Sequence, residues 1–192
     1  MDVHEMRTLR LLEAIERKRS PSQRDLAGAL GVSLGLVNSF VRRLAKKGYF
    51  KITHLSRNRI RYILTPKGAA EKTRLTYAYI QLSYQFYRDA RRKIKTLFQD
   101  LQDTGVRSIV FFGAGDLAEI AFLTLQETDL QFAGIGDATG NGGSFFGHTI
   151  VEVKALGFLD FDAIIVTHDR ADTKIMQQME AAGIISDKIK TL

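Results

Sequence analysis

The sequence predicts an α+β module, a long linking helix and an α/β module with a parallel sheet, in that order along 192 residues. Three observations predict this. Over the first 104 positions, helical spacing dominates and 22 Lys and Arg face 9 Asp and Glu. Beyond them, short buried-strand runs take over and the balance reverses to 6 against 12. Between Gly68 and Gln102 no Pro or Gly interrupts the chain, so one helix can run through. The expected divisions are 1–67, 68–104 and 105–192.

Composition bounds the partners. With 45% apolar residues the chain can bury a core, and a net charge of +7 points to a polyanion, nucleic acid first. The absence of Cys excludes a disulfide framework, a thiol nucleophile and Cys-containing metal sites. The start MDVHEMRTLR lacks the apolar core of a signal peptide, and Asp116 and Glu119 interrupt the longest apolar stretch, 109–125. A cytoplasmic protein without a membrane partner is expected.

The elements follow in order. Met6, Leu9, Leu11, Leu12 and Ile15 mark a first helix. Ser20-Pro21-Ser22 caps a second over 23–30, Gly31-Val32-Ser33 turns the chain, and Ser33 caps a third. In this third helix Val37, Val41 and Leu44 share one face, and Gly48 stops it. Strands at 49–52 and 60–64 flank a cationic tip at 55–59, so a helix-turn-helix is followed by a wing whose Arg57, Arg59 and Arg61 suit the phosphates of DNA. Thr65-Pro66-Lys67-Gly68 opens the linking helix, where Leu75, Tyr79, Leu82, Phe86, Ala90, Ile94, Leu97 and Leu101 step by three and four. A stripe about 50 Å long exceeds what one small module covers, which predicts a homodimer.

The segments SQRDLAGALGVSLGLVNSFVRRLAKKGY and ILTPKG resemble MarR-type winged helix-turn-helix regulators, in particular the short kind associated with exopolysaccharide gene clusters. The resemblance runs from about Thr8 to about Leu97. It implies binding to double-stranded DNA, with Ser33, Gly35, Asn38 and Ser39 near base edges and Arg42 and Arg43 near phosphates. It places Arg57 and Arg59 at the minor groove or backbone, with Ser22, Gln23, Lys46 and Asn58 completing the contact set.

In the acidic part, the strand 108–112 runs into Gly113-Ala114-Gly115-Asp116-Leu117-Ala118 and a helix through Leu125. A second strand, 130–135, leads to Asp137, placed 24 positions after Gly113 where an acid holds a ribose hydroxyl in dinucleotide folds. A third strand at 162–167, a helix at 171–182 and a closing segment at 184–192 complete a Rossmann-like pattern. It resembles the small nucleotide-binding domains of sugar-modifying acyltransferases and dehydratases of polysaccharide synthesis, through the glycine turn, Gly134-Ile135-Gly136-Asp137 and the segment 147–156. That implies Gly113, Ala114, Gly115, Asp116 and Leu117 at a pyrophosphate, Asp137 at a ribose, and Thr167 and His168 at the pocket's edge. Two departures are Asp116, a carboxylate where a phosphate would approach, and Ala118 in place of the third glycine.

Catalytic signatures are missing. No Tyr follows Tyr87 to form a dehydrogenase Tyr–Lys pair, Ser144 lacks a strand–elbow–helix setting and reads as a loop residue, and His148, His168, Asp169 and Asp172 fall at unrelated spacings. The expectation is a non-enzymatic, DNA-binding regulator of surface polysaccharide genes, without a metal, sensing a nucleotide, NDP-sugar or NAD(H). The alternatives are a Rex-like NAD(H)-responsive repressor, an NDP-sugar-metabolising enzyme with an accessory winged helix, and a scaffold that does not bind DNA.

Overall fold

Side-chain oxygens start the two helices of the turn. In the computed structural model, which describes residues 1–17, 21–56, 59–138, 142–168 and 173–192, α1 (Val3–Arg17) precedes α2 (Gln23–Leu30) and α3 (Leu34–Lys46). The Ser22 hydroxyl accepts from the Asp25 amide at 3.1 Å while the Asp25 carboxylate accepts from the Ser22 amide at 2.8 Å, a reciprocal cap. Gly31, at φ 62°, takes the left-handed conformation that ends α2, and Ser33 caps α3 by accepting from Leu36.

Leu11, Leu12 and Ile15 of α1 meet Leu26 and Leu30 of α2 and Val37, Phe40, Val41 and Leu44 of α3 in one core. The wing strands β1 (Phe50–Ser56) and β2 (Arg59–Leu64) pair antiparallel, and Phe50 and Tyr62 close the core edge-to-face at 5.7 Å. Helix α4 (Pro66–Asp103) starts where the Thr65 hydroxyl accepts from the Gly68 amide at 3.0 Å. Gly68 is required there, because a Cβ would lie 1.8 Å from the Tyr49 carbonyl oxygen.

The chain divides into units Met1–Gln85 and Phe86–Leu192, with α4 beginning in the first and ending in the second. The second holds β3 (Ser108–Phe112), α5 (Asp116–Leu125), β4 (Gln131–Asp137), β5 (Ser144–Phe145), β6 (His148–Glu152), α6 (Val153–Leu156), β7 (Ala163–Val166), α7 (Thr173–Ala181) and β8 (Ile189–Thr191). Among the described residues the strand order is β5-β6-β4-β3-β7-β8, and only β5 runs antiparallel to its neighbour.

Alternation along β3 assigns the two faces of the sheet. Ile109 and Phe111 pack with Ile94, Phe98 and Leu101 of α4 and with α5, while Val110 and Phe112 pack with Leu156, Ile164, Val166 and Met179. Asp162 anchors the start of β3 by accepting from the Arg107 and Ser108 amides at 2.8 and 2.9 Å, and these bonds hold its carboxyl below the usual range.

The sheet thus has the expected Rossmann-like, mostly parallel form, but it gains a hairpin. Ser144, expected in a loop, pairs with Thr149 across β5 and β6. The two-residue connection places Phe146 at φ 45° and Gly147 at φ 86°. The Phe146 ring stacks on Phe122 at 4.6 Å, a tertiary contact that holds a bulky side chain at a backbone conformation it seldom adopts.

Candidate nucleic-acid interface and effector site

Helix α3 separates its residues by function. Val37, Phe40, Val41 and Leu44 enter the core, so the spacing of four, three and four puts Gly35, Ser39, Arg42 and Lys46 on the opposite side, and all four are exposed. Asn38 is half-buried on one flank, and Gln23 of α2 is also half-buried. Ser22 and Ser33 are exposed, with their hydroxyls engaged in capping.

Arg43 goes elsewhere. Its guanidinium lies 4.6 Å from the centre of the Phe40 ring. It borders a cavity of about 280 Å³ shared with Asp2, Glu5, Glu71 and Arg74. In that cluster Arg74 hydrogen-bonds Glu5 and Glu71, both at 3.0 Å, and holds both carboxyls below their usual range. Charge alone made Arg42 and Arg43 equivalent, whereas the helix turns them about 100° apart.

On the wing, the register Thr53↔Arg61 and Lys51↔Ile63 puts these four residues on the face opposite Phe50 and Tyr62, and all four are exposed. Arg57 and Asn58 lie outside the described residues, and Arg59 is placed as the first residue of β2. Two further exposed residues stand at the start of α3. Leu34 is 46% exposed and Leu36 39% exposed, a distinction invisible to periodicity because both read as apolar.

In the α/β unit, the carboxyl ends of β3, β4 and β7 converge on the glycine turn. The Gly113 amide donates to Gly136 at 2.8 Å, and the buried Thr167 hydroxyl is within reach of the Phe112 and Gly113 carbonyls at 3.0 and 2.6 Å. Gly113 sits at φ 105°, and a Cβ there would come within 2.9 Å of the His168 amide nitrogen. Asp137 accepts from the Ala114 amide at 3.1 Å. Gly115 is the N-cap of α5, which makes Asp116 and Leu117 the first two residues of that helix.

This edge is a topological switch point, since β4 and β7 flank β3 on opposite sides. A cavity of about 610 Å³ opens beside it, lined by Asp116, Leu117, Val166 and His168 together with Phe86, Asp89, Ala90, Lys93, Ile94, Thr191 and Leu192. The structure thus gathers Asp116, Leu117 and His168 at one cavity. Gly113, Ala114 and Gly115 form the adjoining turn, to which Asp137 and Thr167 are hydrogen-bonded, and all five lie outside the cavity's lining. The contribution of α4 to the lining was not foreseen, because its apolar stripe reads as packing surface alone. His148 sits apart, with its ring 4.8 Å from Phe132, while Asp169 and Asp172 lie outside the described residues.

Residues 7–51 match the model of the winged helix-turn-helix DNA-binding family, in keeping with the winged-helix fold of the first unit. No curated protein matches the chain. Among solved structures, it is similar to MepR, a transcription regulator of the Staphylococcus aureus multidrug efflux pump MepA. The identity is 15%, covering 54% of this chain and 78% of that one, at a TM-score of 0.40. It is also similar to the mitomycin 7-O-methyltransferase MmcR at 12% identity, covering 97% of this chain and 73% of that one at a TM-score of 0.37. Human N-acetylserotonin methyltransferase matches at 11% identity, covering 94% and 72% at a TM-score of 0.34.

These last two matches correct one expectation. Both span almost the whole chain and both are structures of methyltransferases, so the lack of a Tyr–Lys pair and of a hydrolase elbow does not establish a non-enzymatic protein. At such identities and scores they assign no reaction to this chain. Among the described residues, no helix is long and apolar enough to cross a membrane.

Proposed function

We propose that the chain is a dimeric, DNA-binding transcription regulator whose α/β unit takes a small-molecule effector. The observation that carries this reading is the exposed line Gly35, Ser39, Arg42 and Lys46 on the third helix of a domain matching the winged helix-turn-helix DNA-binding family. Base edges lie within reach of the small residues of that line and phosphates within reach of the cations, with Arg61 and Lys51 of the wing adding charge. The direct test is binding of a labelled duplex at several salt concentrations, since phosphate contacts make affinity fall as salt rises.

A stretch without charge supports the dimer. From Thr76 to Tyr87 no Asp, Glu, Lys or Arg occurs, in a chain with 26% charged residues. Yet Tyr77, Ile80 and Tyr84 are 65%, 53% and 56% exposed. Exposed, uncharged and aromatic, this face of α4 suits a second copy related by a two-fold axis, which would present two α3 helices to a pseudo-palindrome. Sedimentation of the purified chain tests it.

The 610 Å³ cavity is of the size that small ligands occupy, and Phe86, Asp89, Ala90 and Lys93 bring α4 into its wall. An effector there would alter DNA affinity by binding two dimer arrangements unequally. A nucleotide, NDP-sugar or NAD(H) remains our reading of its class, carried by the glycine turn and Asp137. A pyrophosphate using the Ala114 amide would displace Asp137 from it. The association with polysaccharide genes rests on the sequence resemblance, and sequencing of captured genomic DNA tests it.

A further inference from the structure

A winged helix-turn-helix reads base edges with the first residues of its third helix. Here those residues are Leu34, Gly35 and Leu36, with no charged or amide side chain before Asn38. Leu34 is 46% and Leu36 39% exposed, although the apolar residues that follow, Val37, Phe40, Val41 and Leu44, are at most 4% exposed. The core is therefore complete without the two leucines. A single surface leucine is ordinary, whereas here two flank an exposed glycine at the tip of the reading helix, one on either side of it.

Gly35 completes the pattern. It lies in the helix without a positive φ, and a Cβ at that position would meet nothing within 4 Å. Neither backbone conformation nor internal packing calls for glycine there, and alanine is the better helix former. The absent side chain leaves room for close approach of an outside surface. The apolar feature of the major groove is the C5-methyl group of thymine.

We infer that Leu34 and Leu36 read thymine methyl groups in the operator, with Gly35 letting the helix tip approach the bases between them. The inference rests on the DNA-binding reading and adds the chemistry of its specificity. The operator half-sites contain thymine at the steps facing the start of α3, and discrimination there comes from methyl contact.

Removing only those methyl groups tests the inference. Duplexes selected from a random library by the full-length protein are amplified with either thymidine or deoxyuridine, and both forms are titrated against wild type and the Leu34→Ala/Leu36→Ala variant. Wild type is expected to bind the deoxyuridine form about tenfold more weakly, near the effect of removing two buried methyl groups. The double variant is expected to bind both forms alike. Gly35→Ala is expected to weaken binding while raising the melting temperature. Equal affinity of wild type for both forms overturns the inference even if DNA binding is tight, and so does a double variant that still discriminates. Failure to select any duplex overturns the DNA-binding reading, and this inference with it.

Discussion

The Asp137 carboxylate accepts a hydrogen bond from the Ala114 amide at 3.1 Å, joining the end of β4 to the turn that follows β3. The acid placed by spacing to hold a ribose thus also braces the glycine turn. Asp137→Ala removes a charged acceptor and should lower stability by about 1.5 kcal/mol. Asp137→Asn retains an acceptor oxygen and should lose less, as measured by urea unfolding of both variants.

Gly68 lies against the Tyr49 carbonyl, with 1.8 Å between that oxygen and the place a Cβ would take. The neighbour is backbone and cannot rotate away. Gly68→Ala is expected to cost about 3 kcal/mol or more, and a denaturant midpoint equal to that of wild type would contradict the observed packing.

Arg42 and Arg43 should separate in function. Arg42→Ala with Lys46→Ala is expected to reduce the slope of log affinity against log salt by about 0.9 for each phosphate these cations neutralise. Arg43→Ala, which gives up a cation–π interaction with Phe40, is expected to lower stability by about 0.5–1 kcal/mol and to change that slope less.

Much of this arrangement was legible before the structure. Ser33 as a cap, Gly31 and Gly48 as breaks, and the run 108–112 as a buried strand all follow from local chemistry that acts within a few residues. Arg43 lies over Phe40, one helical turn before it, and borders a cavity lined by Glu5 and Glu71, residues that no local pattern connects to it. The β5–β6 hairpin was hidden for a similar reason. Phe146 occupies a turn position that favours Gly or Asn, and its stack on Phe122 becomes visible only in three dimensions. The cavity joins α4 to the end of β7 across more than 70 positions of sequence, a distance over which spacing carries no information.

The uncharged face of α4 should set the oligomeric state. Ile80→Glu with Tyr84→Glu places carboxylates on residues 53% and 56% exposed, so the fold should tolerate them. Sedimentation is expected to show the wild type at twice the 21.6 kDa chain mass and the variant at the monomer mass. A wild type that is already monomeric would rule out a two-fold operator.

Asp162 gives a dependence on pH. Its carboxyl is held below the ordinary value of 3.8 by the Arg107 and Ser108 amides, so the folded form favours the ionised group. That contribution is complete above pH 3.8 and is lost as pH falls through the lower folded value. The stability difference between wild type and Asp162→Ala is expected to be about 1 kcal/mol near neutrality and to shrink on acidification, as read from urea unfolding at a series of pH values.

Capture of genomic fragments by the full-length protein, compared with Arg42→Ala/Lys46→Ala, tests the central claim most directly. Enrichment of a pseudo-palindrome with half-site centres about 10 base pairs apart is expected for wild type and not for the variant. Fragments without a shared sequence, retained equally by both proteins, would contradict DNA recognition by α3.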